Sequence, residues 1–184
     1  MRAAMPGFIG KKLCPVLVIV LPNYDKYRQV SAQVQEVLAI YDPHFCSMGL
    51  DEAYLDLTTF IRNKLSSVDE GRNVTSGVRD GDSSKGKELL QLPAAYWRCA
   101  EVIVEDLRHA IFSKTGLTAS AGIATNKMLA KVASDVNKPD GQYLVSPTRV
   151  GVLEFIQKLP IRKVGLLSRH RHVQYVMYSN HRLI

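Results

Sequence analysis

The run Phe45-Cys46-Ser47-Met48-Gly49-Leu50-Asp51-Glu52-Ala53-Tyr54-Leu55-Asp56-Leu57 places two adjacent carboxylates, Asp51 and Glu52, inside an apolar stretch. Ionised carboxylates are costly in apolar surroundings unless they are paired or bound to a metal. The run reads as two short strands bent near Gly49, or as one strand with a bulge there. A regular strand sends adjacent side chains to opposite faces. If both acids serve one site, the backbone bends between them, and Gly49 makes that easy. Hard cations such as Mg²⁺ bind through one or two carboxylates plus substrate phosphates, which suits such a pair. A hairpin tip with both acids in water fits the residues equally well.

The rest of the chain supplies a frame for this stretch. Val16–Val20 is continuous and β-branched, the pattern of a buried central strand. Apolar residues at helical spacing (Tyr27, Val30, Val34, Val37, Leu38) predict a helix over 25–40, capped by Asn23 or Asp25 and stopped by Tyr41-Asp42-Pro43. Residues 66–87 are rich in Gly, Ser and charge, with almost nothing able to pack, and read as a flexible insert. A second helix is expected over 92–114, ended by Gly116, and a strand over 117–123. Thr125-Asn126 then caps a helix over 127–136. Asn137-Lys138-Pro139-Asp140-Gly141 is turn chemistry, followed by a strand over 142–145 and a helix over 148–157.

The net charge of +7 favours a polyanionic partner, nucleic acid first among them, although a merely soluble basic surface also accounts for it. Cys14, Cys46 and Cys99 lack metal-ligand spacing and are odd in number, which fits reduced thiols rather than a disulfide framework. The apolar run from Pro15 to Pro22 is too short to span a bilayer, so no membrane partner is expected.

Ser47–Asp56 resembles the second carboxylate motif of the Y-family DNA polymerases, the translesion enzymes, and their DinB/kappa branch in particular. Six further matches follow in family order: Arg2–Gly7, Asp25–Arg28, Tyr41–Pro43, Ala119–Ala124, Asn137–Tyr143 and Leu159–Val164. The resemblance implies an α+β polymerase palm, a mostly antiparallel sheet with helices packed on one face. Residues 1–14 would be a remnant of the fingers, 15–164 the UmuC-like palm, and 165–184 a divergent tail. It implies DNA-directed DNA polymerase activity in damage bypass, in the nucleus, with primer–template DNA, deoxynucleoside triphosphates and other replication or repair proteins as partners. Two Mg²⁺ ions, with Mn²⁺ as a substitute, would be held by Asp51 and Glu52 as catalytic and metal-binding residues. Lys138 matches the lysine that contacts the incoming triphosphate, though a solvated turn lysine explains it as well. Arg162 and Lys163 would contact DNA phosphates, as would Arg2, although surface charge accounts for all three. Arg28 either approaches phosphate or pairs with Asp25 or Asp42.

The departures from the family pattern are also specific. The family's first carboxylate motif, an Asp-Met-Asp-Ala-Phe-like run, is not found, nor are its Tyr-x-x-Arg triphosphate clamp, its full thumb and its little finger. Gly49 stands where serine is usual. Asp25, Asp42 and Asp56 are the nearest substitutes for the missing acid. The chain therefore reads as a partial one, a short isoform or an incomplete gene prediction, and a catalytically silent fragment that binds DNA or a repair partner is the alternative expectation. A palm-based nucleotidyl cyclase is a third, disfavoured by the lack of a Gly-Gly-Asp-Glu-Phe-like hairpin. The tail carries His170, His172 and His181, which fit a basic tail better than a metal site.

Overall fold

The computed structural model describes residues 5–69, 94–160 and 175–179. A short helix, α1 (Gly7–Leu13), follows Pro6. Helix α2 spans Tyr24–Tyr41; of its two candidate caps Asn23 serves, its side chain accepting from the Lys26 N–H at 3.0 Å. Strands β1 (Cys46–Ser47) and β2 (Glu52–Asp56) form an antiparallel hairpin, with Cys46 opposite Tyr54 and Ser47 opposite Ala53. Helix α3 (Thr58–Asp69) follows at once, its first N–H held by the Asp56 carboxylate at 3.0 Å.

Helix α4 (Ala94–Thr115) ends at Gly116, whose φ of 69° is the left-handed stop that its sequence position calls for. Strand β3 (Ser120–Ala124) leads to α5 (Lys127–Ala133), capped by Asn126 through a 2.9 Å bond from the Leu129 N–H. Strand β4 (Gln142–Leu144), helix α6 (Arg149–Gln157, capped by Thr148) and strand β5 (Tyr175–Ser179) complete the described elements. The sheet order is β1-β2-β5-β3-β4, antiparallel except for the β3–β4 pair, so the α+β class and the mostly antiparallel sheet stand.

Alternation along the strands decides the two faces. Ala53 and Leu55 of β2 and Ala121 and Ile123 of β3 enter the main core with Val37, Leu38, Ile61, Leu107 and Ile111, so α2, α3 and α4 share one face. On the opposite face Ala124 packs with Leu129, Ala130 and Ala133 of the short α5, with Phe155 of α6 at the margin. That second layer is an addition to the expected single layer of helices.

Two expectations change. Val16–Val20 is not a strand and is not buried: Val18 is 79% and Leu21 92% exposed. An apolar run becomes a strand only when a neighbour offers free hydrogen-bonding groups. Here both sides of β2 and of β3 are already paired, to β1 and β5 and to β5 and β4. Residues 66–69, expected to open a flexible insert, belong to α3; the rest of that insert lies outside the described residues. Arg2, Arg162, Lys163 and the tail histidines lie outside them too.

Tyr96 of α4 is 2% exposed against the core. Burial pushes its phenol from the usual 10.0 up to about 12, against the opposing effects of a Thr58 hydrogen bond and the Arg62 charge. The unfolded chain then ionises this group first, so its contribution is complete below pH 10 and is lost as pH rises to about 12. That loss is on the order of 3 kcal/mol. Urea midpoints measured across this window should fall for the parent, and a Tyr96→Phe variant should show a distinctly shallower fall. An equal slope in the variant would assign the effect elsewhere.

A candidate carboxylate site at the hairpin tip

The acidic pair sits where the β1–β2 hairpin turns. The Met48 N–H donates to the Glu52 carbonyl at 2.7 Å, closing a tip of Gly49, Leu50 and Asp51. Gly49 has φ 110°, a conformation that side chains disfavour, and the Ser47 hydroxyl donates to its carbonyl at 2.7 Å. The bend expected at Gly49 is therefore present. It places Asp51 on the tip and Glu52 at the head of β2, both half-buried.

The two acids differ in their surroundings. Glu52 points to the α5 face, where the Lys131 ammonium donates to its Oε2. One turn earlier on α5, the Lys127 ammonium lies 5.6 Å from the centre of the Tyr54 ring. Glu52 and Tyr54 are two apart on a strand, and Lys127 and Lys131 four apart on a helix, so the two rows face each other by periodicity. The Tyr54 phenol is pushed above its ordinary range by burial, with the Glu52 charge adding to the effect. Asp51 makes no hydrogen bond or ion pair among the described residues. A half-buried carboxylate left in that state is a natural ligand for a cation.

Lys138 lies beyond the end of α5. Its ammonium pairs with Asp135 Oδ1 at 2.7 Å and its side chain is 19% exposed, so it is a turn lysine, but not one standing free in water. The turn is held by Arg108 of α4, whose guanidinium donates to the carbonyls of Ala119 (2.8 Å) and Asp140 (2.7 Å) and to the Asp140 carboxylate (2.8 Å). Neither Arg108 nor Lys131 was singled out by sequence reasoning. Lys131 could have been found from its helical spacing to Lys127; a lone arginine within a helix carries no comparable signal.

The substitute acids are engaged elsewhere. Asp25 pairs with Arg28 at 3.1 Å, the structural alternative for that arginine. Asp42 accepts from the N–H groups of His44 (2.9 Å) and Asp56 (2.8 Å), tying the end of α2 to β2. Asp56 holds the start of α3. Among the described residues no group of three or more His, Cys, Asp or Glu side chains is placed to hold a metal ion. A cleft of about 550 Å³ opens beside β1, between the end of α2 and the start of α3, and Tyr54 and Lys127 lie on its wall. No helix among the described residues is long and apolar enough to cross a membrane.

Comparison with known proteins places the chain in a family. The impB/mucB/samB family profile matches residues 1–135. The chain is 41% identical to human DNA polymerase kappa over 91% of its own length and 24% of that protein's. It is 39% identical to DNA polymerase kappa of Caenorhabditis elegans, covering 91% of this chain and 32% of the relative. DNA polymerase IV of Neisseria meningitidis (strain MC58) is 39% identical, over 89% of this chain and 41% of the relative. The chain belongs to the impB/mucB/samB family, as the resemblance to the Y-family polymerases predicts. It spans between a quarter and two-fifths of the length of these relatives.

Proposed function

We propose that this chain is the carboxylate-bearing palm of a nuclear translesion-type DNA polymerase, extending a primer 3′-hydroxyl with deoxynucleoside triphosphates on a DNA template. The observation that carries this reading is Asp51 at the hairpin tip, half-buried and without a partner among the described residues, beside Glu52 in a family of DNA polymerases. The donor set fits Mg²⁺: two hard carboxylates on adjacent residues, few enough that substrate phosphates must complete the shell. Asp51 and Glu52 would hold the metal, with Mn²⁺ as a substitute. When bound, it would neutralise triphosphate charge and activate the attacking hydroxyl.

The chain's own groups position these acids. Lys131 fixes one Glu52 oxygen and so orients the other. Gly49 turns the tip so that Asp51 precedes the strand instead of continuing its alternation. Lys138 would exchange Asp135 for the triphosphate, a role suited to a compact, strongly hydrated charge. Arg162 and Lys163 would meet primer–template phosphates, a non-specific and salt-sensitive contribution. Other replication or repair proteins would be further partners.

A second reading, a catalytically silent chain that binds DNA or a repair partner, is favoured by one observation. Glu52 is already engaged by Lys131, and no third acid joins the pair among the described residues.

Primer extension by purified 1–184 with Mg²⁺ and all four deoxynucleotides separates the two. The first reading expects extension that falls by on the order of 1,000-fold in Asp51→Ala/Glu52→Ala, the loss of several kcal/mol of charge stabilisation. Absent extension with salt-sensitive DNA binding retained supports the second. Extension unchanged in the double variant would sink the site assignment.

A further inference from the structure

Strand β3 is buried at all five positions, Ser120 to Ala124. On one side it pairs with β4, in register Ala121–Gln142 to Ile123–Leu144. Across from it, Ala53 and Leu55 of β2 are equally buried, and β1 pairs with β2 only at Ala53 and Tyr54. The facing edges of β2 and β3 do not pair with each other, and with β5 seated between them their residues are buried. Leaving buried backbone groups unbonded costs about 1–3 kcal/mol each. The gap between these edges is the place in the sheet where an empty position is least tolerable.

The structure fills it with Tyr175–Ser179. All five residues of β5 pair with both neighbours, from Asp56–Tyr175–Ala124 at one end to Glu52–Ser179–Ser120 at the other. The more strongly β-forming run, Val16–Val20, stays outside the sheet and mostly exposed. We propose that the gap between β2 and β3 is a strand-binding site that the chain's own C-terminal segment, Tyr175–Ser179, occupies in cis. The segment then acts as the spacer of the candidate site. It holds β2 two strand widths from β3, about 9.6 Å, the separation across which Lys131, on the helix packed over β3, meets Glu52. It also brings no carboxylate of its own beside Glu52, since Tyr-Val-Met-Tyr-Ser contains none. The inference stands on pairing and burial and does not depend on the catalytic reading.

Cross-linking in the full chain tests it, with Cys14, Cys46 and Cys99 replaced by serine. Adjacent pairs in an antiparallel ladder alternate between hydrogen-bonded and non-hydrogen-bonded geometry. One of the two double variants Ala53→Cys/Tyr178→Cys and Tyr54→Cys/Met177→Cys should therefore form a disulfide readily under mild oxidation, within a monomer. A control, Ile19→Cys/Tyr54→Cys, should form none. A second variant, Met177→Pro, removes an N–H from the centre of a central strand and should lower the melting temperature by on the order of 5 °C or more. Failure of both ladder pairs, a bridge in the Ile19 control, bridges only between molecules, or an unchanged melting temperature in Met177→Pro would each overturn the proposal.

Discussion

Gly122→Ala should destabilise the fold by about 3 kcal/mol or more, the upper range for overpacked cores. A Cβ at position 122 would lie 2.0 Å from the Ala130 carbonyl oxygen, 2.4 Å from the Ser134 nitrogen and 2.9 Å from the Ala133 carbonyl carbon. All three are backbone atoms, so no side-chain rotation relieves the overlap. Helix α5 must move off the sheet by more than 1 Å to reach ordinary contact, roughly 3.5 Å, and it carries Lys131 away from Glu52 as it goes. Gly116→Ala is the control. Its φ of 69° is strained for alanine, but nothing lies within 4 Å of the new carbon, so about 1 kcal/mol is expected. Urea unfolding followed by circular dichroism measures both. A Gly122→Ala protein as stable as the Gly116→Ala protein would show that α5 is not seated on β3 as described.

Arg108→Ala should cost about 2–3 kcal/mol, and for a different reason. The guanidinium is 12% exposed and bonds two backbone carbonyls that no other side chain among the described residues reaches. One belongs to Ala119, itself 1% exposed, and an orphaned buried carbonyl accounts for most of the loss. The ion pair with Asp140 adds little, because that carboxylate is 52% exposed and well screened. Arg108→Lys should recover less than half, since one ammonium cannot span acceptors arranged for a planar fork. Full recovery by lysine would mean that charge, and not the fork, holds the Lys138 turn.

Much of this architecture can be read from local patterns. The caps Asn23, Asn126 and Thr148 and the stop at Gly116 act within a few residues, and the helices beginning and ending there lie within three residues of their expected bounds. Helix α3 escaped because its start signal, Asp56 two residues before Thr58, lies inside a run already assigned to strand, and because its last residues are as polar as the insert that follows. The acidic pair and its bend were legible, since an Asp-Glu couple in an apolar run and a glycine two residues before it are both local facts. Lys131 and Arg108 were not, because each acquires its partner from 79 and 11 to 32 residues away.

The sequence by itself determined which segments coil, where they start and stop, where the hairpin bends and which two carboxylates stand at its tip. These follow from side-chain volume, backbone freedom and hydrogen bonds spanning a few residues. Only the tertiary structure decided which extended segment enters the centre of the sheet. Val16–Val20 has the stronger strand composition, yet Tyr175–Ser179 is the one that pairs, because a strand is stabilised by the edges it meets and not by its own residues alone. The same competition for edges and partners joins Glu52 to Lys131 and fixes the turn of Lys138, and no single segment carries that information.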